Sequence, residues 1–245
     1  MKTDSNINTR RRRILGFAGK AAAFFSTAWL FSPVRVFAGL FAQQEDIMKL
    51  PPARREGTVS VEQAIEQRRT VRSYTQKPLT LDQLSRMLRA AQGITGKSGF
   101  KRSAPSAGAL YPMDLYVAAG GASVEKLEAG VYHYNPQKHA LVKIAETDLR
   151  EETARACLSQ MWVSAAPVNF VITAEYERIR GKYGNRGDRY AMIEAGHIGQ
   201  NLFLQAQAEG LAAGIVGAFH DEELNRVLQL PRSHEPLLVM PAGYQ

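Results

Sequence analysis

The chain has 245 residues, a formal net charge of +8, and 45% hydrophobic against 22% charged residues. That is the composition of an ordinary globular protein with one large domain, and it excludes collagen-like, disulfide-scaffold and wholly disordered chains. The single cysteine, Cys157, excludes an internal disulfide and any cysteine-built zinc or iron–sulfur site within one chain.

The basic excess invites a nucleic-acid reading, but its distribution speaks against one. Residues 1–38 carry Lys2, Arg10, Arg11, Arg12, Arg13, Lys20 and Arg35 against one acid, Asp4, a net +6 that leaves only +2 for the rest. The remaining chain has no sustained basic face, so no nucleic-acid partner is expected. The first 38 residues have the layout of an export signal. A basic stretch precedes a moderately apolar run from Ile14 to Phe31, and Val36-Phe37-Ala38 offers small residues ahead of Gly39. Arg11-Arg12-Arg13-Ile14-Leu15 resembles a twin-arginine signal. That resemblance implies a folded cargo for the twin-arginine export machinery and a bacterial periplasmic or cell-surface destination. Lys20 inside the run disfavours a spanning helix, so no stable membrane insertion is expected after processing. An uncleaved anchor and a basic nucleic-acid arm are the competing readings.

Residues 39–58 read as a linker or arm, and 59–245 as the folded domain. Ser60 and Gln63 mark a helix start that runs to about Arg68. Thr80 and Gln83 repeat the device, with Gly93 as the C′ stop. Gly96 to Leu110 is loop. Leu115–Ala119 is a short strand, and Val131–Tyr134 and Ala140–Ile144 flank Asn135-Pro136-Gln137-Lys138 as a hairpin. Asp148–Leu158 reads as helix and Pro167–Thr173 as a buried strand. The longest helix spans Asp188–Glu209, with Ile193, His197, Leu202 and Ala206 among its inward positions and Gly210 at its end. Ala212–Phe219 is a strand, Asp221–Leu230 a helix and Leu237–Met240 a last strand. Helices and strands mix without regular βαβ alternation, which favours an α+β fold.

Four segments carry candidate chemistry. In Arg68-Arg69-Thr70-Val71-Arg72 three guanidiniums and a hydroxyl fall within five residues, a donor set suited to phosphate. A solvated charged turn is the alternative. In Pro105-Ser106-Ala107-Gly108-Ala109-Leu110 small side chains let backbone approach a flat ligand; a tight helix-to-strand loop would look alike. Gly214-Ile215-Val216-Gly217 suggests presented amides, or a strand with a bulge. Lys182-Tyr183 and the polar-studded run Glu194–Asn201 offer proton donors. The five histidines are dispersed, without metal-motif spacing, so no metal site is expected, and His197 reads as a packed core histidine.

In this order RRTVRSY, PSAGALYP, GKYGNRGDRY, EAGHIGQNL and GIVGAF resemble the nitroreductase-like flavoprotein family over residues 59–243. The closer resemblance is to its branch of azoline (thiazole/oxazole) oxidases. It implies a three-layer fold with a mixed, mostly antiparallel central sheet, a long central helix, and FMN at a homodimer interface. Carried over, Arg68, Arg69, Thr70 and Arg72 match the first flavin motif, with Arg68 on the phosphate and Arg72 at the pyrimidine edge. Pro105, Ser106, Ala107, Gly108 and Leu110 match the loop reaching over from the partner subunit. Val216 and Gly217 match the strand whose amide points at flavin N5, and Lys182 and Tyr183 match an acid–base pair. One departure is that no Lys or Arg follows Arg232, where many members hold the phosphate with C-terminal basic residues. The expected activity is hydride transfer through N5 from a small-molecule or peptide substrate. A non-catalytic flavin-binding protein and a cytoplasmic NAD(P)H-dependent nitro, quinone or flavin reductase are the alternatives.

Overall fold

The computed structural model describes residues 46–53, 57–97 and 99–245. The leader and the first part of the arm lie outside the described residues.

Strand β2 (Met113–Ala119) sets the architecture, because it is buried on both faces. Its side chains alternate as the pleat requires. Leu115, Val117 and Ala119 enter one core, while Tyr116 and Ala118 enter a second on the opposite face. β5 (Val168–Ala174) pairs antiparallel beside it and is likewise buried throughout. A sheet apolar on both faces must be covered on both. One side takes helices α2 (Leu81–Gln92) and α6 (Arg186–Ala208); the other takes α3 (Arg150–Ala156), α4 (Trp162–Ala165) and α7 (Asp221–Val227). The fold is therefore α+β in three layers.

The other strands are β1 (Ile47–Lys49), β3 (Gly130–Asn135), β4 (Ala140–Ala145), β6 (Ala212–Ala213) and β7 (Glu235–Gly243). Among the described residues the seven run β1-β4-β3-β2-β5-β7-β6, with every neighbouring pair antiparallel. A single parallel bridge, Thr70 to Ala213, extends the β6 edge. No helix among the described residues is long and apolar enough to cross a membrane.

Helix α1 (Val61–Gln67) starts at Ser60, whose hydroxyl accepts the Gln63 N–H at 3.1 Å. α2 carries the full reciprocal capping box between Thr80 and Gln83. Gly93 is the cap itself with extended backbone (φ −66°, ψ 154°), not a left-handed C′ residue. Its lack of a side chain matters for another reason: a Cβ there would lie 2.7 Å from Arg89 backbone atoms.

Three expectations need correction. Part of the arm is structural, since Ile47–Lys49 forms the edge strand beside β4. The strand expected over Ala212–Phe219 stops after Ala213 and resumes only as the single bridge Val216–Val239. Pro241 explains the break: it accepts the Gly214 N–H at 2.8 Å but has no N–H to return. Lys182 and Tyr183 lie at the end of a helix, α5 (Glu177–Tyr183). On α6, Ile193 and His197 point outward, while Leu202 and Ala206 are buried as expected, together with Ala191, Glu194, Ala195, Ile198 and Phe203 among others. His197 is thus an exposed histidine, not a core one.

Candidate active site

The residues singled out in the sequence gather into two groups. The first lies along the β6 edge. The Thr70 bridge and the Val71 N–H, which donates to Ala213 O at 3.0 Å, pin the arginine segment to that edge. Tyr74 Oη ties its far end by donating to Val71 O and Pro241 O. Above this backbone the Arg68 guanidinium stacks on Phe203 at 5.2 Å, and that of Arg72 on Trp162 at 5.6 Å. Gly214 makes the Trp162 contact feasible, because a Cβ there would lie 2.6 Å from the indole and 2.7 Å from Val71 O. Arg69 instead turns back to donate to the Glu66 and Arg68 carbonyls.

Ion pairs among the described residues form elsewhere, as at Arg86–Glu209, Arg150–Asp148, Arg178–Asp114 and Arg180–Asp188. None involves Arg68, Arg69 or Arg72. Three guanidiniums unpaired among the described residues make this edge electropositive. Further along the same strand segment the Val216 N–H is committed to Val239 O at 2.8 Å. The Gly217 N–H has no protein acceptor among the described residues, Gly217 is exposed, and a Cβ would meet nothing within 4 Å. Of the Val216–Gly217 pair, only Gly217 has an amide free for a ligand.

The second group surrounds the turn after Pro105. Ala107–Ala109 makes a 3-10 turn in which Gly108 is left-handed (φ 62°). Ala109 (φ 54°) and Tyr111 (φ 49°) share that region, which stores backbone strain of about 1–3 kcal/mol at each non-glycine residue. The turn is held by the Ser106 hydroxyl, which accepts the Tyr111 N–H at 2.9 Å, and by Tyr111 Oη, which accepts the Arg102 N–H at 3.1 Å. Leu110 follows the turn in right-handed helical conformation. A Cβ at Gly108 would lie 2.9 Å from Tyr183 Oη and 3.1 Å from Lys182 Nζ. The glycine turn and the Lys-Tyr pair, some 75 residues apart in sequence, are therefore neighbours. Tyr183 is half-buried against the edge of Tyr190, with ring centroids 5.2 Å apart, while Lys182 is exposed.

A cavity of about 280 Å³ opens beside the turn, lined by Pro105, Ser106 and Ala107 and by Tyr190, Glu194 and His197 from α6. Glu194 is 1% exposed, and burial pushes its carboxyl up to about 7. The sequence flagged its segment without giving it a task. Trp162 and Phe203, the platforms under Arg72 and Arg68, went unnoticed; an isolated aromatic carries no signal for a partner far along the chain.

Cys157 is buried, and desolvation pushes its thiol up to about 12, which removes it from thiolate chemistry. Asp114, Glu175 and His234 place three ligand-type atoms within 4.8 Å of one another. Arg178 already pairs with both carboxylates, and the Tyr116 hydroxyl lies 2.8 Å from His234 Nδ1. That cluster is accounted for by its own protein partners.

The α6 side chains Met192 and Ile193 and the α1 side chains Val61 and Ile65 are exposed apolar groups. The sheet-facing side of α6 is apolar as well, so Met192 and Ile193 are extra apolar positions on its outward side, among Arg186, Arg189, His197 and Gln200.

Comparison with known proteins gives a consistent result. The family model described as "Nitroreductase family" matches residues 65–244. A nitroreductase-type protein of Methanocaldococcus jannaschii is 43% identical over 185 residues, covering 76% of this chain and 91% of its own. The microcin B17-processing protein McbC of Escherichia coli is 27% identical over 67% of this chain and 62% of its own length. A solved nitroreductase-type structure from Ralstonia eutropha superposes with a TM-score of 0.71 at 29% identity, covering 82% of this chain and 90% of that one.

Proposed function

The chain belongs to the nitroreductase family, whose members are oxidoreductases, and on that premise we propose that it is an FMN-dependent dehydrogenase resembling the azoline oxidases. The observation that carries the reading is the β6 edge. Three guanidiniums that pair with no carboxylate among the described residues lie on the segment bridged to Ala213, and the exposed Gly217 N–H follows four residues further along the chain. This edge is a receptor for a phosphorylated, flat, electron-accepting group.

The residues present fit FMN. Arg68 and Arg69 would hold the phosphate, with bidentate donors suited to it. Arg72, oriented by Trp162, would face the pyrimidine edge, where positive charge favours the anionic reduced ring. Thr70 adds a hydroxyl, and the Gly217 amide would address N5. Pro105, Ser106, Ala107, Gly108 and Leu110 would come over from a second copy. The exposed apolar side chains of α6 and α1 support a homodimer of this kind. When bound, FMN supplies a two-electron acceptor at N5. Lys182 and Tyr183 would hold and move the proton that accompanies the hydride.

The processing proteins among the relatives support a small-molecule or peptide substrate carrying an oxidisable ring. The leader supports export to the periplasm or cell surface, where an organic donor replaces NAD(P)H. The test is a spectrum of the purified full chain followed by donor screening. The expected result is one flavin per protomer, bleached by an azoline-containing donor and slowly by NADPH. A colourless protein would remove the cofactor from the reading. Fast NADPH oxidation by a protein fractionating with the cytoplasm would make it a nitro or quinone reductase instead.

A further inference from the structure

Glu194 is a titratable group that hydride transfer at the β6 edge leaves unused. It sits in the middle of α6, fully enclosed, yet no cation among the described residues forms an ion pair with it. Its Oε1 receives only a long contact from Gln92 Nε2, at 3.4 Å, and its Oε2 has no hydrogen-bond partner. The nearest guanidinium, Arg102, spends Nη1 on Gln92 Oε1 at 3.2 Å. A buried carboxyl normally has its partners close, and this one instead borders the cavity beneath the Ser106–Ala109 turn. The Ser106 hydroxyl lines the same cavity. It accepts the Tyr111 N–H, so its own proton remains available.

We infer that Glu194 is the proton-holding residue of this cavity, exchanging its proton through the Ser106 hydroxyl, and that its charge state sets the position of the Ser106–Ala109 turn. In the relay, Ser106 Oγ passes its proton to the ionised carboxylate as it takes one from the cavity side. The hydroxyl is regenerated, and one proton has moved. Glu194 acts through Ser106 and the turn, so it is a positioning residue.

The surroundings suit a group that changes charge near neutrality. Burial favours the protonated form, while the nearby Ser106 hydroxyl, the Gln92 amide and the charge of Arg102 favour the ionised one. Burial also disfavours the charge of Arg102, which feels Asp114 and Arg178 as well. Tyr190 and His197 face the cavity from α6, and Lys182 and Tyr183 stand behind Gly108 from α5.

What the proton serves rests on the flavin reading, but the proton site does not, so the test uses the full chain freed of flavin. With carboxyl-labelled glutamate, one side-chain resonance should titrate near about pH 7 and be missing in Glu194→Gln. Amide exchange of residues 105–111, corrected for intrinsic rates, should differ several-fold between about pH 6 and about pH 8 in the wild type. It should be equal at the two values in both Glu194→Gln and Ser106→Ala. No glutamate titrating in that window would overturn the inference, as would a turn in either variant that responds as in the wild type. If Glu194→Gln does not fold, Ser106→Ala decides alone. A protein that never binds flavin but keeps the titration and the turn response leaves this inference standing and removes the flavin reading.

Discussion

The two halves of the candidate site are built by opposite means. The arginine segment is fixed through its backbone: Thr70 and Val71 engage Ala213, and Tyr74 clamps the far end. Its guanidiniums form no ion pair among the described residues. The turn at Ser106–Ala109 is fixed through side chains and strain, with Ser106, Tyr111 and an enclosed Glu194 around three consecutive or near-consecutive left-handed residues. A backbone-held region tolerates changed side chains and loses only their interactions. A region held by side chains and strained backbone loses its shape.

Substitutions should divide along that line. The largest effect is expected for Gly108→Val, which places a branched side chain at positive φ against Tyr183 Oη and Lys182 Nζ. Strain and overlap of about 3 kcal/mol or more should reduce flavin retention roughly 100-fold, read by equilibrium dialysis. Gly217→Ala, whose Cβ would enter open space, should lose far less; equal losses would break the distinction.

Next is a pH dependence of stability. The Glu194 carboxyl titrates at about 7 when folded and near the ordinary carboxylate value when unfolded. The folded state binds the extra proton, so this contribution is fully present at acid pH. It is lost as pH rises from the unfolded value through about 7, by about 3 kcal/mol in all. Asp114 is shifted the other way, held low by His133 and Arg178 against its burial, so its contribution is lost only at more acid pH. Urea titrations across this range should show the neutral-pH decline in the wild type and its absence in Glu194→Gln.

Arg72→Gln should weaken FMN binding by roughly 10- to 100-fold, the loss of one charge-assisted contact of about 1.5–3 kcal/mol. It should leave the urea midpoint of the flavin-free protein unchanged. A fall in that midpoint would mean that the guanidinium is structural. The smallest effect belongs to His197→Gln on the outward side of α6, within about 0.5 kcal/mol in the same titration.

Local signals in the sequence reached local structure well. The Thr80–Gln83 box, the hairpin at Asn135–Lys138 and the start of α1 all depend on side chains a few residues apart, and all appear where the spacing puts them. α5 was invisible for the same reason. It begins after Tyr176 with no side-chain cap and carries Gly181, so nothing in its own residues announces a helix. The inward face of α6 was misread in part because apolar side chains also stand on its outward side, and one sequence cannot say which side meets the sheet. The arginine segment was recognisable from residue types alone. Its platforms, Trp162 and Phe203, and the meeting of Gly108 with Lys182 and Tyr183, arise only once distant segments are folded together. Glu194 lay inside a flagged run, but a glutamate on a polar-studded helix reads as solvated until its enclosure is seen.

The place where Thr70 joins Ala213 has a consequence for how the protein behaves in a crowded solution. β6 is only two residues long, and beyond it the sheet would present open backbone to any passing extended chain. The chain covers that rim with its own residues 70 and 71, and flanks them with Arg69 and Arg72, both exposed. Charged side chains on a short rim deter the edge-to-edge pairing that starts aggregation. Neutralising these arginines should therefore raise the tendency to self-associate into insoluble material, even under conditions where no ligand is present.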